Sequence, residues 1–311
     1  AHLYRLEGKS KKFSKIELMI EGDSGLLSDA LSRTLSTASE VAFHPDGLEV
    51  AFIAGGDVWV METELRGPVR VTAPPEYESS LVWGKDQESL WFVSSRDVEI
   101  DIYQATRGDE DLDWWQNESF AIERITEDTL PKSNLRFSPT SDHLLYVQGN
   151  GKLIARRIED GENTTLVEGF DSPDFDISYD GRWVAYSHSD DNFNEDIFLI
   201  PIDGSKEAFN VSRHPDNDSQ PTFSPDGRLL AFTGTRFDDE VDIYYVYKQD
   251  EEAEKSRRDR TLEAAIEKIR KARKKKSDKP KTEPKEDDSE APDESDEEDS
   301  PEPMEIDFEK L

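Results

Sequence analysis

Short runs in which apolar and polar residues alternate recur along the first 248 positions, each bounded by Gly, Pro, Asn, Asp or Ser. Alternation with period two is the pattern of a half-buried strand, and turn residues at such short intervals predict an all-β architecture. One stretch, Phe223-Ser224-Pro225-Asp226-Gly227-Arg228-Leu229-Leu230-Ala231-Phe232, is the fullest copy of a repeat whose degraded versions begin at Phe43, Trp83, Phe137 and Ile177. The copies are spaced by 40, 54, 40 and 46 residues. In each, a strand ends on an aromatic or branched residue, a Pro-Asp-Gly type turn follows, and an apolar run such as Leu48 to Ile53 or Trp183 to Ser187 forms the next strand. Pro presets φ, Asp accepts backbone N–H groups, and Gly47, Gly181 and Gly227 tolerate positive φ, so the turn is a tight hairpin rather than a catalytic motif.

A third strand appears in each unit, opening on Asp57-Val58, Asp101-Ile102, Lys152-Leu153, Asp196-Ile197 and Asp242-Ile243. Most units close with a short outer strand ending near Thr or Ser, as at Val71-Thr72, Ile125-Thr126 and Val211-Ser212. A period in this range with strand content predicts four-stranded blades of a β-propeller: about five full blades, preceded by a partial one at Leu3–Leu6 and Ile16–Ile20. The long step is an insertion at Arg107 to Phe120, which carries Trp114-Trp115 among acidic residues. Adjacent aromatics on a loop supply binding area, so Trp114 and Trp115 are candidate peptide or partner contacts. Burial of one ring to anchor the loop is the competing expectation.

After residue 248 the pattern changes. Residues 249–276 predict a charged, solvated helix, with Leu262, Ile266 and Ile269 at helical spacing. Residues 277–303 are rich in Pro, Ser, Lys, Asp and Glu and predict a disordered acidic linker. Alternation returns at 304–311, read as the start of a further strand. Ala1 leads directly into a strand-like run, so the chain reads as an internal piece of something longer.

Charge narrows the partners. With 38 basic and 71 acidic residues the formal net charge is −33, a surface that repels phosphate, and nucleic-acid binding is not expected. No run of eighteen apolar residues predicts a membrane segment. The absence of Cys excludes disulfides and thiolate chemistry without fixing a compartment. No Gly-x-Ser-x-Gly elbow occurs, and His44 and His143 fall in or beside hairpin turns, so no catalytic, cofactor-binding or metal residues are assigned. The acidic stretch Asp190 to Asp196 offers oxygen ligands that calcium accepts, but it lacks the spacing of an EF-hand loop and reads as a solvated hairpin.

The repeated FSPDGR-x-LAF unit resembles the propeller repeat shared by TolB-type proteins, prolyl oligopeptidase-type peptidases and the tricorn protease family. The order of a blade reading SYDGRWVAYSHSDDNFNEDIFLI, a blade reading PTFSPDGRLLAFTGTRFDD, a charged spacer and IDFE resembles the second propeller of tricorn-type serine proteases. That resemblance implies a non-catalytic module that gates or routes peptides to a catalytic domain outside this chain, and a serine peptidase of tricorn type as the parent. Its partners would be peptides, the parent catalytic domain or other proteins. It leaves room for a homo-oligomer and implies a cytoplasmic location, with the periplasm as the alternative. A TolB-like interaction propeller, or the gating propeller of a prolyl oligopeptidase-type enzyme, would carry the same blades.

Overall fold

The computed structural model describes residues 3–6, 13–16, 37–249 apart from 65, 74–75, 85, 97–98, 141 and 238–239, then 255–277 and 306. The expected linker at 277–303, beyond Ser277, and the expected strand at 304–311, apart from Ile306, lie outside the described residues. The chain divides into two compact units, residues 1–137 with 143–163 and residues 138–142 with 164–311.

The first unit opens with an antiparallel pair, β1 (Leu3–Leu6) and β2 (Phe13–Ile16). A four-stranded sheet follows in chain order: β3 (Glu40–Phe43), β4 (Glu49–Ala54), β5 (Asp57–Glu62) and β6 (Val69–Arg70). The next has the same order: β7 (Glu78–Trp83), β8 (Ser89–Ser94), β9 (Asp101–Arg107) and β10 (Phe120–Arg124). In the third, β11 (Lys132–Phe137), β12 (His143–Gln148) and β13 (Lys152–Arg157) precede β14 (Asn163–Glu168). The second unit holds β15 (Phe175–Ile177), β16 (Trp183–Ser189), β17 (Glu195–Pro201) and β18 (Phe209–Asn210), then a sheet of three described strands, β19 (Asp218–Phe223), β20 (Leu229–Phe237) and β21 (Glu240–Tyr247). Every pairing described is antiparallel between neighbours in sequence, the up-and-down order of propeller blades. The fifth full repeat thus has three strands among the described residues rather than four. Helix α1 spans Arg257–Ser277, with Leu262, Ile266 and Ile269 exposed.

The turn chemistry repeats at atomic detail. Gly47, Gly181 and Gly227 sit at φ +74°, +68° and +67° and donate their N–H groups to His44, Ser178 and Ser224 carbonyls at 2.8–2.9 Å. The Asp before each accepts the N–H two residues on: Leu48 at 2.7 Å, Arg182 at 3.2 Å and Arg228 at 3.1 Å. At Ser178 and Ser224 the hydroxyl caps the next strand through the N–H of Trp183 and Leu229. The copy at Trp83 has Gly84 instead, and a Cβ there would lie 2.2 Å from Ser89 Oγ. Ser89 occupies that space and donates to Asp86 at 2.9 Å.

Layers of buried Val58, Leu90, Phe92 and Tyr103 in the first unit, and Ile197, Leu199, Leu230 and Phe232 in the second, form the cores. Each such side chain contributes about 1.5–3 kcal/mol on burial. The first strand of three sheets carries a bulge with a left-handed residue: Ser80 (φ 55°), Asn134 (φ 53°) and Gln220 (φ 55°). A non-glycine residue there costs roughly 1–2 kcal/mol. In the first unit the cost is offset by directed bonds. The Glu40 carboxylate accepts N–H groups from Ser80 (2.9 Å) and Leu81 (3.0 Å), and Ser80 Oγ accepts the N–H of Asn134 at 2.9 Å.

Candidate functional site

The insertion between β9 and β10 separates its two tryptophans. Trp114 opens a single 3-10 turn, Trp114–Gln116, and is 1% exposed. Its ring meets Trp83 edge-on at 5.3 Å and stacks on Phe120 at 5.5 Å. Trp83 is itself fixed by donating its indole N–H to Ala42 O at 3.0 Å and by the edge of His44 at 4.7 Å. The loop is cross-braced from inside by Asn117, whose side-chain amide donates to the carbonyls of Asp109, Leu112 and Asp113 and accepts the Asp109 N–H. Arg107 pairs with Glu88 and donates to Leu112 O at 2.7 Å. Trp114 is therefore the anchor, and its burial leaves surface contact to Trp115.

Trp115 is half-buried and donates its backbone N–H to Glu49 Oε1 at 3.2 Å, tying the insertion to β4. Its side chain walls a recess of about 290 Å³ with Leu48, Thr63 and the carboxylates of Asp46, Glu49, Glu62, Glu64 and Asp113. Three chain segments converge there: the turn before β4, the end of β5 and the insertion. Burial pushes the Glu49 carboxyl above its ordinary range against the Trp115 N–H, and the charges of Asp113 and Asp46 push the same way as burial. Asp46 is held below its ordinary range by the Leu48 N–H and by His44, whose Nδ1 lies 2.7 Å away. An indole wall beside clustered carboxylates suits an ammonium or guanidinium group, which gains both ionic and cation–π attraction.

Elsewhere the residues weighed from sequence have local partners. In the 190–196 loop, Asp190 accepts the N–H groups of Asn192 and Asn194, and Asp196 accepts Ser212 Oγ, the His214 N–H and the Asn210 amide. Among the described residues no group of three or more His, Cys, Asp or Glu side chains is arranged to hold a metal ion. His44 accepts the Asp46 N–H on Nδ1 within its own turn and places Nε2 3.1 Å from Gln87 O in the turn of the next sheet, and His188 lies edge-on to Phe198 at 5.9 Å. Sequence reasoning missed an exposed aromatic pair, Phe170 with Phe193, 49% and 73% exposed with ring centres 5.4 Å apart. It also missed the carboxylates that join Trp115, which are far apart in sequence and carry no shared signal.

The sheet order, the repeated turns and the bulged first strands define this chain as a β-propeller protein. Its fold is similar to that of the tricorn protease, with a TM-score of 0.55 at 17% identity over 80% of this chain and 25% of that chain. It is also similar to a putative TolB from Agrobacterium tumefaciens, at 18% identity over 67% of this chain and 76% of that one, with a TM-score of 0.49. Among curated proteins it is similar to the uncharacterized peptidase YuxL of Bacillus subtilis (strain 168), at 23% identity over 230 residues, 68% of this chain. The match spans 32% of that relative's length. No family model matches the chain.

Proposed function

We propose that this chain is the non-catalytic propeller module of a peptidase-type protein, holding or routing peptides for a catalytic centre outside residues 1–311. On this reading residues 1–248 form the module, and the charged helix and residues 277–303 are a spacer. The observation that carries it is the recess at Trp115, a half-buried tryptophan among five acidic residues. Such a surface recognises the ammonium or guanidinium of a basic side chain or a peptide amino terminus. The similarity in fold to the tricorn protease and the peptidase description of the curated relative agree with that role.

The test compares Trp115→Ala with Trp114→Ala, titrating each against a fluorescent lysine- and arginine-containing peptide and against its acidic counterpart. Trp115→Ala is expected to weaken the basic peptide about tenfold, the order of an interfacial Trp, with little change in thermal midpoint. Trp114→Ala is expected to cost about 3–5 kcal/mol of stability, because it empties a core site. Unchanged affinity in Trp115→Ala, or equal affinity for both peptides, overturns the reading.

A further inference from the structure

Two joints between successive sheets of the first unit share one backbone plan. The third strand of a sheet opens on an aspartate, Asp57 in β5 and Asp101 in β9. The residue before that aspartate accepts the N–H of the residue that opens the next sheet, Gly56 O from Glu78 at 3.0 Å and Ile100 O from Lys132 at 3.2 Å. Glu78 therefore stands to Asp57 as Lys132 stands to Asp101. In the second joint the side chains from these positions meet: the Lys132 ammonium donates to Asp101 Oδ1 at 2.7 Å, with both groups enclosed. Asp101 also accepts the Thr126 hydroxyl at 2.7 Å and pairs with Arg124.

In the first joint an acid stands where the second has its lysine. Glu78 is 0% exposed and Asp57 8%. Glu78 Oε1 accepts Ser94 Oγ at 3.1 Å and Arg96 at 3.2 Å, while Asp57 Oδ2 lies 3.7 Å from the exposed Arg70. The remaining oxygens, Glu78 Oε2 and Asp57 Oδ1, are buried and have no hydrogen-bond partner among the described residues. Two carboxylates are both acceptors and cannot bond each other, and a buried charge left without a partner neutralises by taking up a proton. We propose that Asp57 and Glu78 share one proton in the folded protein, so that a carboxyl O–H of one donates to the free oxygen of the other. That proton closes this joint as the lysine closes the next. Arg96 answers the single negative charge the pair retains. Of the other charges nearby, Arg70 favours ionised Asp57 and Glu76 opposes it. Burial pushes both carboxyls above their ordinary range, and the Asp57 charge pushes Glu78 the same way. The Lys132 joint keeps its charges through neutral pH, whereas the joint between β5 and β7 is held by a group that leaves as pH rises.

The experiment compares the protein with two amide variants in denaturant melts from about pH 5 to about pH 9. Glu78→Gln supplies an N–H in place of the proton and keeps an oxygen for Arg96, and Asp57→Asn does the same from the other side. Above the ordinary carboxylate range the folded chain holds a proton that the unfolded chain has released, so stability falls as pH rises. The folding constant of the unaltered protein is therefore expected to fall relative to either variant, by up to about tenfold per pH unit, the slope of one proton. That slope against either variant supports the proposal. A ratio that stays constant with pH for both variants overturns it, and so does failure of both to fold, since each would show that two charged carboxylates are required. Stability of the unaltered protein that rises when KCl or CaCl2 replaces choline chloride at equal ionic strength, without the pH slope, would assign the two free oxygens to a bound cation and overturn it equally.

Discussion

The sheets β7–β10 and β19–β21 begin alike and end differently. In each, a fully buried carboxylate on the first strand is met by an arginine lying over two aromatic rings. Glu78 pairs with Arg96 at 3.2 Å, over Tyr103 and Phe92, and Asp218 pairs with Arg236 at 2.8 Å, over Tyr244 and Phe232. Burial pushes the Glu78 carboxyl up, and the bonds from Arg96 and Ser94 only partly reverse it. Two strands over, in the same cross-strand row, the likeness stops. Asp101 is enclosed and bonded by Lys132 at 2.7 Å, by Thr126 and by Arg124, which counter its burial and hold its carboxyl below the ordinary range. Its counterpart Asp242 is exposed. The same two residues therefore give a closed core in one sheet and an open edge in the other, because the covering elements, not the strand itself, decide burial.

The sharpest way to break that comparison is to remove both aspartates. Asp101→Ala leaves Lys132 buried without its enclosed counter-ion and is expected to cost about 3–5 kcal/mol, whereas Asp242→Ala is expected to stay within about 0.5 kcal/mol. Denaturant melts of the two variants decide it, and equal losses would refute the distinction. Because the Asp101 pKa is depressed on folding, its contribution is complete above the ordinary carboxylate range and is lost as pH falls below it.

A smaller contrast lies in the turns. Gly227→Ala places a Cβ 1.8 Å from the Tyr179 ring at φ +67°, while a Cβ at Gly47 meets nothing within 4 Å. The first is expected to cost about 2–4 kcal/mol and the second about 1 kcal/mol, read from thermal midpoints. Similar shifts for both would show that the turn, not its neighbour, sets the cost.

The smallest effect concerns Lys248, which is 5% exposed beneath Tyr179 and whose pKa burial lowers from 10.5 to about 8, against the pull of Asp180 and Asp226. Between those values the folded chain binds fewer protons than the unfolded one, so stability rises with pH across that window. Lys248→Met is expected to gain about 1–3 kcal/mol at pH 7, with the gain shrinking by pH 10.5. A gain independent of pH would show that packing rather than charge is responsible.

Much of this was legible in the chain. Gly, Pro and Asp at fixed offsets specify the turns through backbone chemistry that acts within four residues, and the Thr or Ser closing each outer strand was visible before its role was. The bulges at Ser80, Asn134 and Gln220 were not legible, since left-handed Ser, Asn or Gln has no composition cue and is held there by bonds such as those from Glu40, 40 residues away. The burial of Lys132 was hidden for the same reason: a lysine reads as solvated until Asp101 and Asp128 are brought to it. Trp114 and Trp115 are indistinguishable by type, and only the 3-10 turn points one inward.

The bonds from Ile102 N–H to Thr126 Oγ1 at 3.1 Å and from Thr126 Oγ1 to Asp101 Oδ1 at 2.7 Å have a consequence for how such a chain can be cut and recombined. Since Asp101, Thr126 and Ile102 all lie within one repeat, a gene segment exchanged between Thr72 and Glu78 at one side and between Thr126 and Lys132 at the other carries these three partners together and leaves out only Lys132. A crossover inside β9 would instead strand an aspartate in a core with no hydroxyl to meet it. Duplication and shuffling of these repeats thus have natural seams, placed just after each terminal Thr or Ser.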